Sequence, residues 1–233
     1  MKGVKKVGRL FEDRSLRNRS YIFKDRAEAG SLLAQKLSPS SPADGLVFAV
    51  PAGGVSVALE ISRKLNLPLD LMIVRKVQIP GNTEAGFGAV GPDGEVIFNQ
   101  DLLKSLRLTR EEIDEQVEKA RKNVEARNRI FRGGRIFPEV IDHTAILVDD
   151  GLASGYTMAE AVRFLQKRRA KKIIIAVPTA PEETIKRLLP TVDEVYVLNI
   201  RTSFPFAVAE AYQNWYDLED EEVLSLLKVT RKE

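Results

Sequence analysis

Residues 144–157 constrain the fold more than any other stretch of this sequence. They read Thr-Ala-Ile-Leu-Val-Asp-Asp-Gly-Leu-Ala-Ser-Gly-Tyr-Thr. The apolar run at 145–148 is typical of a strand buried on both faces of a parallel sheet, and the small residues at 151–155 predict a tight loop. A helix is predicted directly after the loop, because apolar residues recur there at helical spacing, namely Met158, Ala161, Val162 and Leu165. Strand, loop and helix in this order form the unit of an α/β fold.

The same alternation continues along the chain. Buried strands are predicted at 46–50, 69–74, 145–148, 172–177 and 194–200. Helices are predicted at 25–37, 54–66, 109–132 and 182–189, with a last one around 223–227. Residues 87–90 and 95–98 are predicted to pair as a hairpin. The sequence therefore predicts an α/β fold with a mostly parallel central sheet flanked by helices, whose ligands bind at the carboxyl ends of the strands.

The chemistry at 149–157 suits a phosphorylated sugar. Loop amides at a helix start, with the hydroxyls of Ser154 and Thr157, form a cradle for a phosphate. Asp149 and Asp150 are acceptors that match vicinal sugar hydroxyls. Asp and Gly are also common turn formers, so a plain strand-to-helix turn is the alternative reading. A turn does not require the Ala-Ser-Gly-x-Thr that follows, which favours a ribose 5-phosphate site.

Residues 148–157 resemble the phosphoribosyl pyrophosphate (PRPP) binding motif of type I phosphoribosyltransferases. The resemblance implies that Asp149 and Asp150 hold the ribose as catalytic residues. It implies a 5′-phosphate loop made of Gly151, Leu152, Ala153, Ser154, Gly155 and Thr157. It also implies a single domain over 1–233, with a core at about 25–200, a hood from 1–24 and 201–233, and a hairpin or flexible loop. Segments near 178–181 and 204–216 resemble a poorly characterised subgroup of this family.

Two further predicted strand ends carry residues that suit a pyrophosphate. Ala52, Gly53 and Gly54 resemble the family's pyrophosphate loop, although relatives usually carry Arg or Lys where this chain has Ala52. A simple turn is the alternative for this loop. Arg75 and Lys76, at the end of the next predicted strand, are implied to contact pyrophosphate and to act in catalysis. Residues 78–91 resemble the mobile loop that closes over PRPP.

The resemblance implies Mg²⁺-dependent transfer of a phosphoribosyl group from PRPP to a nucleobase-like nitrogen acceptor, with release of pyrophosphate. Mg²⁺ is expected to be held through PRPP and water, with no direct protein ligand. Phe204, Trp215 and Tyr216 are candidates for stacking on the acceptor, and a hydrophobic lid is an equally good reading of them. The alternative function is a non-catalytic regulatory protein that senses PRPP or a nucleotide, which Ala52 favours.

Composition excludes several other classes. The 36 basic and 33 acidic residues are interspersed and give a net charge of only +3, which argues against a nucleic-acid partner. The chain has no cysteine and a single histidine, His143, so neither thiolate nor histidine-rich metal sites are expected. No apolar run is long enough for a membrane span, and the first residues do not read as a secretory signal. A cytoplasmic enzyme of nucleotide metabolism is expected, and the family resemblance implies a homodimer.

Overall fold

A parallel sheet forms the centre of the protein. The computed structural model describes residues 8–203 and 205–229. Its strands are β1 (Arg9–Glu12), β2 (Gly45–Ala49), β3 (Leu69–Leu71), β4 (Arg75–Ile79), β5 (Asn82–Val90), β6 (Val96–Phe98), β7 (Thr144–Val148), β8 (Lys172–Pro181) and β9 (Glu194–Arg201). Six of them pair in the order β1-β9-β8-β7-β2-β3, every pair parallel. The predicted α/β class is confirmed.

Helices cover both faces of this sheet. The helices of the described residues are α1 (Arg26–Leu37), α2 (Gly54–Leu65), α3 (Gln100–Leu106), α4 (Arg110–Arg132), α5 (Tyr156–Lys167), α6 (Glu182–Leu188) and α7 (Asp220–Val229), of which α1, α2, α5 and α6 cover the central sheet. The core on one face joins the sheet to α1 and α2, and the core on the other joins it to α5 and α6. Two apolar faces on one sheet require such a three-layer arrangement.

The central strand β7 shows why its sequence is apolar throughout. Ile146 and Val148 pack into the core shared with α1 and α2, whereas Ala145 and Leu147 pack into the core shared with α5. All five residues of β7 are buried. Alternate residues of a strand point to opposite faces, so a strand covered on both sides needs apolar residues at every position.

Local capping fixes two helices where the sequence predicts them. The Asp25 carboxylate accepts a hydrogen bond from the Glu28 amide at 2.9 Å and starts α1. Thr109 and Glu112 form a complete capping box at the start of α4. Gly133 ends α4 with a φ of 62°, a conformation that glycine adopts without a steric penalty.

A second, antiparallel sheet has the strand order β4-β5-β6. Its β5–β6 pair is the predicted hairpin, which is confirmed. The prediction of one strand over 69–74 is wrong in its length, because β3 ends at Leu71 and the chain then leaves the central sheet. Arg75 and Lys76 therefore open β4 and do not follow the end of a parallel strand. Residues 72–74 are buried without continuing the strand, so their apolar character could not reveal where it ends.

Residues 78–91 are mostly strand, although the sequence suggested a glycine-rich loop. They contain the end of β4 and the whole of β5. The glycines serve close packing: a Cβ on Gly88 would lie 2.5 Å from the Ile97 carbonyl oxygen, and one on Gly86 would lie 2.8 Å from the Val77 carbonyl oxygen. The closing of residues 78–91, which lie on the hairpin of β4 and β5, over a ligand stays a prediction.

The segments assigned to the hood contact each other. Phe23 forms a parallel bridge with Tyr212, and the Asn214 amide donates to the Lys24 carbonyl at 3.0 Å. The N-terminal segment also supplies β1, the edge strand beside β9. In the described part of the chain, no helix has the length and apolarity needed to cross a bilayer.

Candidate active site

The loop after β7 is held from the side of α6. The Thr184 hydroxyl donates to the Ala153 carbonyl at 2.7 Å, and the Arg187 guanidinium donates to the Ser154 carbonyl. In a trans peptide the carbonyl and the next N–H point in opposite directions. The amides of Ser154 and Gly155 are therefore directed away from α6. Ala153 and Ser154 are exposed at the tip of the loop, as a phosphate cradle requires.

Tight packing shapes the two ends of the same loop. Gly151 lies so close to Val208 that a Cβ would be 2.5 Å from its Cγ1 atom. Leu152 is buried and its amide donates to the Thr179 carbonyl at 3.0 Å. Gly155 has a φ of 72° and precedes α5, and Thr157 lies half-buried in the first turn. The predicted loop residues thus form one continuous bend leading into a helix N-terminus.

The two carboxylates lie at the carboxyl end of β7. The Asp150 amide donates to Asp149 Oδ1 at 2.9 Å, so the two side chains share one small region. Arg26 Nε donates to Asp150 Oδ2 at 2.8 Å, and the Tyr212 hydroxyl donates to the Asp150 carbonyl at 2.5 Å. Both the side chain and the backbone of Asp150 are therefore fixed by residues distant in the sequence.

Burial at this strand end raises the pKa of both carboxyl groups. Burial raises the pKa of Asp149 well above its usual range, and the charge of Asp150 raises it further. Burial also raises the pKa of Asp150, although Arg26 acts in the opposite direction. Burial raises the pKa of the Tyr212 hydroxyl well above its usual range, so Tyr212 remains a neutral donor.

The loop at the end of β2 packs directly on this pair. The Val50 amide donates to the Val148 carbonyl at 2.9 Å, and a cis peptide bond joins Pro51 to Ala52. A Cβ on Gly53 would lie within 3.0 Å of all three atoms of the Asp150 carboxylate group. A Cβ on Gly54 would lie 2.9 Å from the Asp149 Cα. Two of the three predicted strand ends therefore lie in contact, and glycine is required where they touch.

Arg75 and Lys76 lie on β4, beside α4. With Gln78, they line a small pocket of about 90 Å³ whose other wall is α4, through Gln116, Lys119, Ala120 and Asn123. Burial lowers the pKa of Arg75, and the charge of Arg127 lowers it further while Asp220 opposes the change. The charges acting on Arg75 thus come from α4 and α7.

The candidate acceptor residues are in different environments. Phe204 lies outside the described residues. Trp215 packs on the core, with the Arg26 guanidinium 3.9 Å from its ring centroid, which matches the reading of a hydrophobic lid. Tyr216 is 56% exposed and lines a groove of about 380 Å³ between the start of α2 and α7.

Sequence reasoning missed three residues of this site: Arg26, Arg187 and Tyr212. Arg26 follows the N-cap of α1, and capping rules say nothing about where its side chain goes. Arg187 lies among the charged residues of α6, and neither its residue type nor its spacing indicates a contact with the loop after β7. Tyr212 was visible only as one of several aromatic residues near the end of the chain.

The donor set at the strand ends fits a hard cation only in part. In the residues that the structure describes, no group of three or more His, Cys, Asp or Glu side chains is arranged to hold a metal ion. Asp149 and Asp150 offer carboxylate oxygens, which match Mg²⁺ when substrate oxygens and water complete its shell.

Comparison with known proteins identifies relatives over most of this chain. The family model described as "Phosphoribosyl transferase domain" matches residues 26–214. Two relatives, from Mycobacterium tuberculosis strains CDC 1551 / Oshkosh and ATCC 25618 / H37Rv, both bear the name "Putative phosphoribosyl transferase". Each is 35% identical over 206 residues, covering 88% of this chain and 46% of the relative. The chain thus spans about half the length of the curated relatives it matches.

A solved structure shows the same fold. The crystal structure of the protein TT1426 from Thermus thermophilus superposes with a TM-score of 0.72 at 33% sequence identity. The match covers 88% of this chain and 97% of that one.

Proposed function

This chain belongs to the phosphoribosyl transferase domain family, and from that premise we propose that it transfers the phosphoribosyl group of PRPP to a nitrogen of a nucleobase-like acceptor, releasing pyrophosphate. One observation carries the proposal. The loop at 51–54 packs against one side of Asp149 and Asp150, and the amide loop 151–155 follows them directly. A sugar between a phosphate cradle and a pyrophosphate loop fits this order of groups.

The 5′-phosphate is assigned to the loop after β7. The amides of Ser154 and Gly155 point away from α6, and the N-terminus of α5 adds its partial positive charge. The hydroxyls of Ser154 and Thr157 supply further donors. Gly151, Leu152 and Ala153 contribute the backbone of the bend.

The ribose is assigned to the acidic pair. Asp149 and Asp150 accept hydrogen bonds from the sugar hydroxyls and present negative charge to a sugar that becomes cationic as the C1–oxygen bond breaks. Charges fixed in place act more strongly in a site shielded from water. A protein nucleophile is not needed for such a displacement, because the acceptor nitrogen forms the new bond to C1.

The pyrophosphate is assigned to the backbone of Ala52, Gly53 and Gly54. Arg75 and Lys76 open β4, the strand next to the 78–91 segment, and are proposed to join the pyrophosphate as cations when that segment closes. Glycine allows the chain to approach a ligand closely and exposes N–H donors at the start of α2. Bound Mg²⁺ would neutralise charge on the pyrophosphate oxygens. The protein itself orients the leaving group. Residues 78–91 are proposed to close over the ligand and so to exclude water from it.

The acceptor is assigned to the side of the site bounded by Tyr216. Its exposed ring offers a stacking surface, whereas Trp215 already packs against Arg26. The hood formed by the two terminal segments and the single-domain organisation remain part of the proposal. The homodimer, the cytoplasmic location and a role in nucleotide metabolism also stay predictions.

A pyrophosphate-release screen tests the transferase assignment. The protein is incubated with PRPP, Mg²⁺ and a library of purines, pyrimidines and small amines. Release that depends on one acceptor, and that disappears in Asp149→Asn/Asp150→Asn, is expected. PRPP binding without release for any acceptor would contradict transfer.

Ala52 favours a second candidate function, a regulatory protein that binds PRPP without turnover. An alanine in the pyrophosphate loop leaves the backbone donors and supplies no cation. The variant Ala52→Arg separates the two functions. A regulatory protein gains affinity for pyrophosphate and shows no release with either residue, whereas an enzyme releases pyrophosphate already with Ala52.

A further inference from the structure

A cavity of about 220 Å³ lies between α4 and α5, away from the residues assigned to PRPP. Its apolar walls are formed by Leu71, Ile73, Val124, Phe137 and Phe164. For comparison, an engineered cavity of about 150 Å³ with apolar walls binds benzene. The cavity beside α5 therefore has room for a planar ligand of one or two aromatic rings.

The aromatic wall of this cavity is held in place by its neighbours. The Phe137 ring stacks on the Phe48 ring with 5.0 Å between the centroids, and it meets the Phe164 ring edge to face at 4.9 Å. Phe164 and Val124 are both buried. A ligand ring that enters the cavity thus meets side chains that are already ordered, which lowers the entropic cost of binding.

Arg168 brings a positive charge to the same wall. Its guanidinium carbon lies 5.3 Å from the centroid of the Phe164 ring and 5.8 Å from that of the Phe137 ring. Arg163 on α5 differs from it, because Arg163 pairs with the Asp93 carboxylate at 2.7 Å. Among the residues that the structure describes, no carboxylate forms an ion pair with Arg168.

The other charged side chains that line the cavity have partners or lie in solvent. Arg132 pairs with Asp70 at 2.8 Å, and Arg135 is 57% exposed with its Nε donating to the Arg132 carbonyl at 3.0 Å. Glu125 is exposed, so water and salt screen its charge. Arg168 is therefore the cation that an acidic group on a ligand would pair with beside the aromatic wall.

The cavity is well separated from the loop after β7. Arg168 follows the last residue of α5, whereas the phosphate loop precedes its first residue. At a rise of about 1.5 Å per residue, the two ends of this helix are about 18 Å apart. None of the residues that line the cavity belongs to 51–54 or 149–157. A ligand in the cavity therefore does not occupy the position assigned to PRPP.

We propose that the cavity between α4 and α5 is a binding site for a small aromatic acid, a compound of one or two rings with one carboxylate. The ring lies against Phe137 and Phe164, and the carboxylate pairs with the Arg168 guanidinium. This binding does not depend on the proposed phosphoribosyl transfer.

Calorimetry of the intact protein with 2-naphthoate tests the proposal, and the neutral 2-naphthalenemethanol serves as the matched probe. Saturable binding of naphthoate is expected, and Arg168→Gln should weaken it about tenfold while leaving the affinity for the alcohol unchanged. Arg169→Gln is the control variant, because it removes the same charge from the next, exposed residue, which does not line the cavity. No saturable binding of naphthoate, or equal losses in the two variants, would overturn the proposal.

NMR of the wild-type protein locates the probe without any substitution. Nuclear Overhauser effects between the naphthoate protons and the ring protons of Phe164 are expected, and their absence at saturating naphthoate would overturn the placement. Val124→Phe provides an independent check, since the larger side chain fills the cavity and should abolish binding. A folded Val124→Phe with the wild-type affinity for naphthoate would likewise contradict the site.

Discussion

Gly53→Ala probes the contact on which the site depends. A methyl group there would lie within 3.0 Å of all three atoms of the Asp150 carboxylate group. The closest atom, Oδ2, would be 1.8 Å away, which is more than 1 Å shorter than an ordinary van der Waals contact. Either the loop or the carboxylate must move by about 1 Å. A displacement of this size in a site that positions its ligand costs about 100-fold in affinity or rate. Overpacking should also lower the free energy of unfolding by about 1–3 kcal/mol.

Calorimetry with Mg²⁺ and PRPP measures the loss in affinity, and urea unfolding measures the loss in stability. Gly45→Ala is the matched control, since Gly45 begins β2, the strand whose other end leads into the 51–54 loop. A methyl group at Gly45 would lie 2.9 Å from Leu67 Cδ1, so it also strains packing, but away from the site. The control should lose stability and keep its PRPP affinity. PRPP affinity in Gly53→Ala within about threefold of the wild type would refute the reasoning, because the predicted loss is about 100-fold.

Four further changes test other parts of the account. Burial raises the pKa of Asp149 in the folded state, so its carboxylate destabilises the protein increasingly as pH rises above the unfolded value of about 3.9. The melting temperature of Asp149→Asn should therefore exceed that of the wild type near neutral pH, by about 2–4 °C for each kcal/mol of destabilisation removed. In acid the two melting temperatures should be equal, and a lower melting temperature of the variant at neutral pH would contradict this. Gly155→Ala forces a side chain onto a φ of 72° and should lower the urea-unfolding free energy by about 1–3 kcal/mol and weaken ribose 5-phosphate binding in calorimetry; unchanged binding counts against the cradle. Thr109→Ala removes the cap of α4 and should cost about 1 kcal/mol in urea unfolding without changing PRPP affinity. Arg132→Leu removes the main partner of the part-buried Asp70 carboxylate, which keeps a contact of 3.9 Å with Arg135, and should cost about 1–3 kcal/mol in urea unfolding. Adding Asp70→Leu should recover part of that loss; equal losses in the single and double variants would contradict the ion-pair explanation.

The parts of the fold that the sequence predicted are those that local chemistry decides. A run of four apolar residues before two carboxylates leaves β7 no exposed face, and the structure buries all of it. Thr109 and Glu112 mark the start of α4 through a capping box that uses only neighbouring residues. The position of the 51–54 loop and the acidic pair at one edge of the sheet was predicted too, because adjacent parallel strands end at the same edge.

The parts that the sequence did not predict depend on contacts between distant residues. Arg26 reaches Asp150 across 124 positions, and neither residue type nor spacing signals that pairing. The end of β3 was misplaced because Met72 is buried and still donates its amide to the Ala49 carbonyl at 2.8 Å after the strand has ended. The predicted position of Arg75 at the end of a parallel strand was wrong for the same reason, since Arg75 opens β4 in a different sheet.

The most direct test of the central claim is calorimetric titration of the protein with PRPP in the presence of Mg²⁺, compared with Asp149→Asn/Asp150→Asn. The account predicts saturable binding in the wild type, with competition by ribose 5-phosphate, and loss of binding in the double variant. A cooperative urea transition checks that this variant is folded, since Arg26 keeps its hydrogen bond to the Tyr216 carbonyl when Asp150 becomes Asn. No binding by the wild type, or undiminished binding by the folded double variant, would contradict the assignment of this strand end to a phosphorylated ribose.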